Sequence, residues 1–289
     1  YMSQPTLRHW PIQTTASIYY RDERNPSTQI SEAFNVDRRG ASLQQERMLG
    51  DAYVWTYGYR FERAHTFSPV PGDTPAEMIK VSPLTSAFVR DVRDEVLDAT
   101  RGSFSSHAFA YSPKWLGSDD TYLKYFGQYF HYIPLQPERR KRFSNEIIRP
   151  RFVLAAAARI GLSKGMGTFV PASERFFAGG STTLRGFEQN AVGPIGPTGV
   201  PVGGDAMLLF NGELRFPLFS IVDGVGFVDV GNVWQETTDF SFTDLRKTGG
   251  VGVRLRTKWV LVRGDYGLVL DRRDGERRGR FYFSIRQAF

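Results

Sequence analysis

"DAYVWTYGYRFER" (51–63) decides how the chain is to be read. In an extended strand successive side chains point to opposite faces. Tyr53, Trp55, Tyr57, Tyr59 and Phe61 therefore share one face, and Val54, Thr56, Gly58, Arg60 and Glu62 share the other. A strand of a soluble sandwich also alternates, so this stretch alone leaves two architectures open.

Repetition narrows them. "GRFYFSIRQAF" (279–289) sets Phe281, Phe283, Ile285 and Phe289 against Tyr282, Ser284, Arg286 and Ala288. "LLFNGELRFPLF" (208–219) sets Phe210, Leu214 and Phe216 against Asn211, Glu213 and Arg215. "GGVGVRLRT" (249–257) sets Val251, Val253 and Leu255 against Gly252, Arg254 and Arg256, and "WVLVRGDYG" (259–267) sets Val260, Val262 and Tyr266 against Arg263 and Asp265. Charged groups keep to one face and large apolar groups to the other. Segments of about ten residues with this dyad pattern mark a transmembrane β-barrel, apolar towards lipid and polar towards a hydrated lumen. Tilted strands of about 9–11 residues cross the hydrocarbon. The sheet must close, because an open edge in lipid leaves backbone groups unpaired. The expected fold is all-β, an antiparallel transmembrane β-barrel.

Twelve strands are expected, near 13–21, 34–48, 51–63, 79–91, 102–112, 121–133, 151–162, 204–217, 224–235, 247–257, 259–270 and 279–289. Alternation is poor over 102–133 and does not fix which way those strands face. "FVLAAAARIG" (152–161) has helix propensity, but its neighbours favour a strand. The connections at 49–51, 218–220 and 257–258 are short, and those at 64–78, 163–203, 236–246 and 271–278 are long. Membrane barrels show this asymmetry of short periplasmic turns and long outer loops. The segment 136–150 is long where parity demands a short turn, and its basic run reads as a solvated loop.

Composition excludes several classes. The 289 residues carry 37 Lys+Arg and 30 Asp+Glu, a net charge of +7 that is spread along the chain rather than gathered into the basic face of a nucleic-acid binder. There is no cysteine, hence no disulfide framework or thiolate site. With 23 Phe and 13 Tyr the chain is rich in aromatics, yet no run approaches the roughly 18 apolar residues of a membrane helix. His9, His65, His107 and His131 have no metal-ligand spacing. "RDVRDEVLD" (90–98) is carboxylate-rich, but at a strand end it reads as a salt-linked rim rather than an acid/base pair. No G-x-S-x-G elbow is present, and "GVGFVDVGNVW" (224–234) matches neither a phosphate loop nor a dinucleotide fingerprint. Catalysis, cofactors, metals and nucleic acid have no support in the sequence.

One stretch stands outside the strand pattern. "ERFFAGGSTTLRGFEQNAVGP" (174–194) resembles the signature of the outer-membrane protein 85 superfamily, the BamA/TamA type of assembly barrel. The family tetrad is Val/Leu-Arg-Gly-Phe/Tyr after a Phe-x-x-Gly-Gly turn. Here Leu184, Arg185, Gly186 and Phe187 follow Phe176, Phe177, Gly179 and Gly180. "GFVDVGNVW" (226–234) resembles the family's F-x-D-x-G-x-V-W strand. "RDVRDEVLDATRG" (90–102) resembles its R-D-x-R-D turn, with Ala99 where proline is usual.

The resemblance implies a barrel domain over 1–289 whose loop 163–203 folds back into the lumen. There its arginine pairs with an inward acidic residue on a wall strand. Alternation sets Asp229 and Glu213 on the inner face, so Asp229 is the expected partner of Arg185 and Glu213 a second candidate. The alternative is a solvated loop arginine. The resemblance also implies that these are twelve of sixteen strands. The first four, and the POTRA repeats before them, would lie outside this chain. The last strand, with Gly279, Phe281, Phe283, Ile285 and Phe289, would form one side of a lateral gate. The implied function is non-enzymatic insertion of client β-barrel proteins into the outer membrane, with the bilayer and periplasmic accessory subunits as further partners. A secretion translocator, the membrane-tethering barrel of a patatin-like lipase and a passive pore are the rival readings.

Overall fold

The computed structural model describes residues 2–3, 12–23, 35–67, 77–96, 98–137, 139–140, 147–148, 151–167, 169–197, 199–219, 221–256 and 260–287. Its strands are β1 (Met2–Ser3), β2 (Ile12–Glu23), β3 (Asn35–Met48), β4 (Tyr53–Phe67), β5 (Glu77–Val81), β6 (Leu84–Asp91), β7 (Gly102–Ser112), β8 (Tyr122–Pro134), β9 (Arg139–Arg140), β10 (Ile147–Ile148), β11 (Val153–Gly165), β12 (Ala206–Pro217), β13 (Val222–Trp234), β14 (Arg246–Arg256), β15 (Val260–Val269) and β16 (Gly279–Gln287).

One antiparallel sheet runs β1-β2-β3-β4-β6-β7-β8-β11-β12-β13-β14-β15-β16, with β5 also on β4. Along this order each strand pairs antiparallel with the next, an up-and-down meander that passes over the β9–β10 ribbon. The twelve expected strands are present. That expected at 79–91 is divided into β5 and β6, because Pro83 has no amide hydrogen to give to the ladder. Register carries straight through the break: Glu62 faces Val81, and Tyr59 faces Leu84. Pro83 still contributes its carbonyl, which accepts the Arg60 amide at 3.1 Å.

"FVLAAAARIG" falls in β11, paired on both sides with β8 and β12. Two complete ladders outweigh the helix propensity of its alanines. Two elements were not legible beforehand. β1 pairs with β2, and β9 with β10 forms a two-residue ribbon apart from the main sheet, inside the segment read as a loop. The expected turn at 257–258 and the terminal residue Phe289 lie outside the described residues.

Polarity divides the sheet's faces. Leu43, Trp55, Phe88, Phe210, Val228, Val251, Phe281, Phe283 and Ile285 are exposed on one side, while Glu62, Asp229, Arg254 and Asp265 are buried on the other. The segment 166–203 covers that second face. Its Phe176, Ala178, Leu184, Phe187 and Val192 pack with Met207 and Leu209 of β12, Val233 of β13 and Val269 of β15. Leu184 is completely buried, a burial that stabilises the docked loop by about 2 kcal/mol. The loop touches β3, β4 and β8 as well as β12–β16, so the sheet curls around it.

Candidate functional site

The site is built where the loop meets β12, β13, β15 and β16. Register brings its wall residues together. Asn211 of β12 faces Asp229 of β13, Glu213 faces Phe227, and Asp265 of β15 faces Tyr282 of β16. Alternation turns all of them inward.

Arg185 lies in this bowl, 3% exposed. Its Nε and Nη2 donate to the two carboxylate oxygens of Asp229 at 2.8 and 2.7 Å, the bidentate fork that a planar guanidinium favours. Its backbone amide donates to Asp229 Oδ2 at 3.1 Å, and its Nη1 to Glu213 Oε1 at 2.6 Å. Its guanidinium carbon stands 3.6 Å from the centre of the Phe227 ring, a cation–π contact. Asp265 Oδ2 lies 3.9 Å from Nη1. The charge of Arg185 is thus met by three carboxylates and an aromatic face.

Neighbouring residues fix those partners in turn. Asn211 Nδ2 donates to Asp229 Oδ1 at 2.8 Å and to the Thr183 carbonyl at 2.6 Å. Arg159 Nη1 donates to Asn211 Oδ1 at 2.6 Å. Arg254 pairs with Asp265, and Arg215 donates to Glu213 Oε2 at 3.2 Å. Every carboxylate near Arg185 has a second cation or an amide, which keeps buried charge compensated.

The rest of the motif docks through its backbone. Gly186 has φ +109°, a conformation that only glycine adopts without strain. It rests on Gly267 of β15: a Cβ on Gly267 would lie 2.5 Å from the Gly186 nitrogen. The Tyr282 hydroxyl accepts the Gly186 amide at 2.9 Å and donates to the Phe187 carbonyl. Arg246, at the start of β14, lies over the Phe187 ring at 4.6 Å. It also reaches Asp271 and Glu276 of the last long loop. Gly179 and Gly180 are buried in the turn before the motif, where the Gly179 amide donates to Thr183 Oγ1 at 2.9 Å.

The turn between β6 and β7 reaches past β8 and β11 towards β12. Arg93 is tied to Asp91, and Asp94 accepts from the amides of Thr100 and Arg101. Asp98 reaches Arg215 of β12 at 3.5 Å, so this expected rim spans part of the interior. Between this turn and the loop lies a cavity of about 290 Å³, its floor formed by the small residues Ala155, Ala156 and Ala157 of β11.

Among the residues named from sequence, Arg185, Asp229 and Glu213 lie together, with Gly179, Gly180, Leu184, Gly186 and Phe187 around them. Phe281, Phe283 and Ile285 lie apart, exposed on the outer side of β16. Gly279 begins that strand, which among the described residues pairs only with β15. Asn211, Asp265 and Tyr282 joined the site unannounced. Alternation gave each an inward face, but only the loop's path supplies what they meet. Among the described residues no group of His, Asp and Glu gathers as a metal site.

Residues 2–289 match the Omp85 superfamily domain. The chain belongs to the Omp85 superfamily. It is 28% identical over 293 residues to the outer membrane protein assembly factor BamA of Nitratidesulfovibrio vulgaris, which covers 96% of this chain and 35% of that protein. It is 30% identical over 139 residues to a SAM50-like protein of Schizosaccharomyces pombe, covering 47% of this chain and 26% of that one. The chain thus spans about a third or less of the length of these relatives. The crystal structure of Haemophilus ducreyi BamA lacking POTRA domains 1–3 shares the fold at a TM-score of 0.79 and 19% identity, over 98% of this chain and 60% of that one. CdiB from Acinetobacter baumannii superposes at a TM-score of 0.56 and 12% identity, over 95% and 46%. This Omp85 domain is a transmembrane β-barrel of the outer membrane.

Proposed function

We propose that this Omp85 barrel inserts client β-barrel proteins into the outer membrane, and does so without enzymatic chemistry. The observation that carries the reading is the docked loop. Arg185, held by Asp229 and Glu213, fastens the interior to β12 and β13, while Tyr282 fastens it to β16. The state of the loop and the state of the last strand are thereby coupled. Similarity to an assembly factor over 96% of the chain supports the same reading. An exposed strand edge offers backbone donors and acceptors to an incoming strand. β16 would present such an edge to the client once freed from a partner. The bilayer near a short or parted wall would thin and ease the client's entry. Periplasmic accessory subunits would deliver the client.

The test is reconstitution of the full-length protein in liposomes with an unfolded outer-membrane barrel as client. Folding is followed by protease protection and by heat-modifiable gel mobility. Faster folding than in empty liposomes, and slower folding with Arg185→Ala, is the expected result. No acceleration by the native protein overturns the proposal. Steady conductance with no effect on the client supports a passive pore, and export of a partner through the lumen supports a translocator.

A further inference from the structure

Arg185 accounts for the middle of the loop. Nearer its start, the loop carries a charge of opposite sign in an equally buried place. Glu174, eleven positions earlier in the chain, is 5% exposed. Its Oε1 accepts from Arg60 Nη2 of β4 at 2.9 Å and from Arg38 Nη1 of β3 at 3.4 Å. Its Oε2 accepts from Lys124 Nζ of β8 at 3.3 Å, and the same ammonium donates to its backbone carbonyl at 2.6 Å. Arg38 Nη2 also donates to the Ser173 carbonyl at 2.6 Å. The cations are themselves braced. Glu62, 1% exposed, takes Arg38 at 2.7 Å and the Tyr19 hydroxyl of β2 at 2.6 Å.

The inner wall therefore meets the loop with opposite signs at two places. At Glu174 the nearest groups are cations of β3, β4 and β8, braced by Glu62, and at Arg185 they are carboxylates of β12, β13 and β15, braced by Arg215 and Arg254. The loop meets each with the opposite charge. A loop that merely filled space would need no such division. Reversing its direction would set like charges against each other in a poorly solvated interior, which is strongly unfavourable. Two latches on two walls also do what one cannot: they resist separation of those walls.

We propose that Glu174 is a second latch, and that with Arg185 it makes the loop a crossbar holding β3, β4 and β8 at a set distance from β12–β16. Glu174 is thus a positioning residue for the flanks of the sheet. The crossbar stands on its own geometry. Its release as a step in client insertion rests on the function proposed above.

The chain has no cysteine, and any cysteine elsewhere in the full-length protein is replaced by serine before spin labelling. Leu43→Cys on β3 and Phe283→Cys on β16, both exposed on the outer face, report the distance between flanks in the full-length protein in liposomes. Heat-modifiable mobility verifies that each variant is folded. In Glu174→Gln the distance distribution gains a longer population that the native pair lacks. Glu174→Asp retains most of the native distribution. Glu174→Lys, which sets an ammonium against Arg38, Arg60 and Lys124, gains more of the longer population than Glu174→Gln, which loss of packing alone would not produce. A folded Glu174→Gln with an unchanged distribution overturns the crossbar. If Glu174→Gln does not fold, an unchanged distribution in a folded Arg60→Gln, Lys124→Gln variant, which strips two of the three cations from Glu174, overturns it equally. Client folding is measured separately on the same samples. An inert native protein with an intact distance response removes the insertase reading and leaves the crossbar standing.

Discussion

Tyr282 on the last strand receives the backbone amide of Gly186 at 2.9 Å and returns its own proton to the next carbonyl, that of Phe187. One hydroxyl thus closes two backbone valences of the loop motif. Tyr282→Phe keeps the ring and strands both groups. An unmet buried donor or acceptor costs about 1–3 kcal/mol. The variant is expected to fold, with faster hydrogen exchange at Gly186 and easier proteolysis after Arg185. Native protection in Tyr282→Phe would show that water replaces the hydroxyl without loss.

Arg185→Lys tests the fork rather than the charge. A lysine reaches one carboxylate oxygen at a time and cannot lie flat on Phe227. Removing one partner of a buried pair costs about 3–5 kcal/mol, and the adjoining cavity, by admitting water to the carboxylates left behind, would lower that figure for Arg185→Ala. The expected order of loop protection, by exchange mass spectrometry, is native, then lysine, then alanine. Equal protection in lysine and native protein would show that charge alone suffices.

Gly267→Ala and Gly226→Ala form a matched pair. A Cβ at Gly267 meets Arg185 and Gly186 backbone at 2.5 to 2.8 Å, whereas one at Gly226 meets nothing within 4 Å. Overpacking of this kind costs about 1–3 kcal/mol. Denaturant unfolding in lipid should show Gly267→Ala destabilised and Gly226→Ala close to native. Equal stability of the two would mean that the loop does not press on β15.

The outer loop 271–278 should respond to acid. Burial pushes the Glu276 carboxyl up, but the Arg246 guanidinium and the Arg273 amide outweigh it and hold it below the usual carboxylate range. A depressed folded pKa stabilises above the unfolded value of about 4.3 and loses that stabilisation as pH falls through the folded value. Exchange rates in 271–278, corrected for intrinsic pH dependence, should rise below about pH 4. Glu276→Gln should already show the raised rate at neutral pH and remove the acid response.

The wall was legible in the sequence because lipid and lumen demand opposite polarities. Trp55 against Glu62, and Val228 against Asp229, needed only the period of two. Strands β7 and β8 hid their facing because aromatics occupy both sides. Phe109 and Tyr129 are exposed outside. Phe104 and Phe130 serve the inner side as surfaces for Arg93 and Arg159, each at 4.9 Å. The contact of Arg185 with Asp229 was readable because the motif supplied the loop's path and alternation supplied the carboxylate. Glu174 was not readable. A carboxylate in a long polar loop looks solvated until Arg38, Arg60 and Lys124 are brought to it from three distant strands. Tyr282 had an inward face by alternation, but its role depends on Gly186, 96 positions away.

That last separation has a temporal side. The loop leaves β11 and must wait for five further strands before Asp229, Gly267 and Tyr282 all exist to receive it. Contacts of such span form late, after the closure entropy of the intervening chain has been overcome. A seated Gly186–Phe187 turn therefore records that β16 has already taken its place beside β15. A chain in which β16 has not yet paired with β15 cannot close the Tyr282 hydrogen bonds, so the loop reports on strands that are made after it.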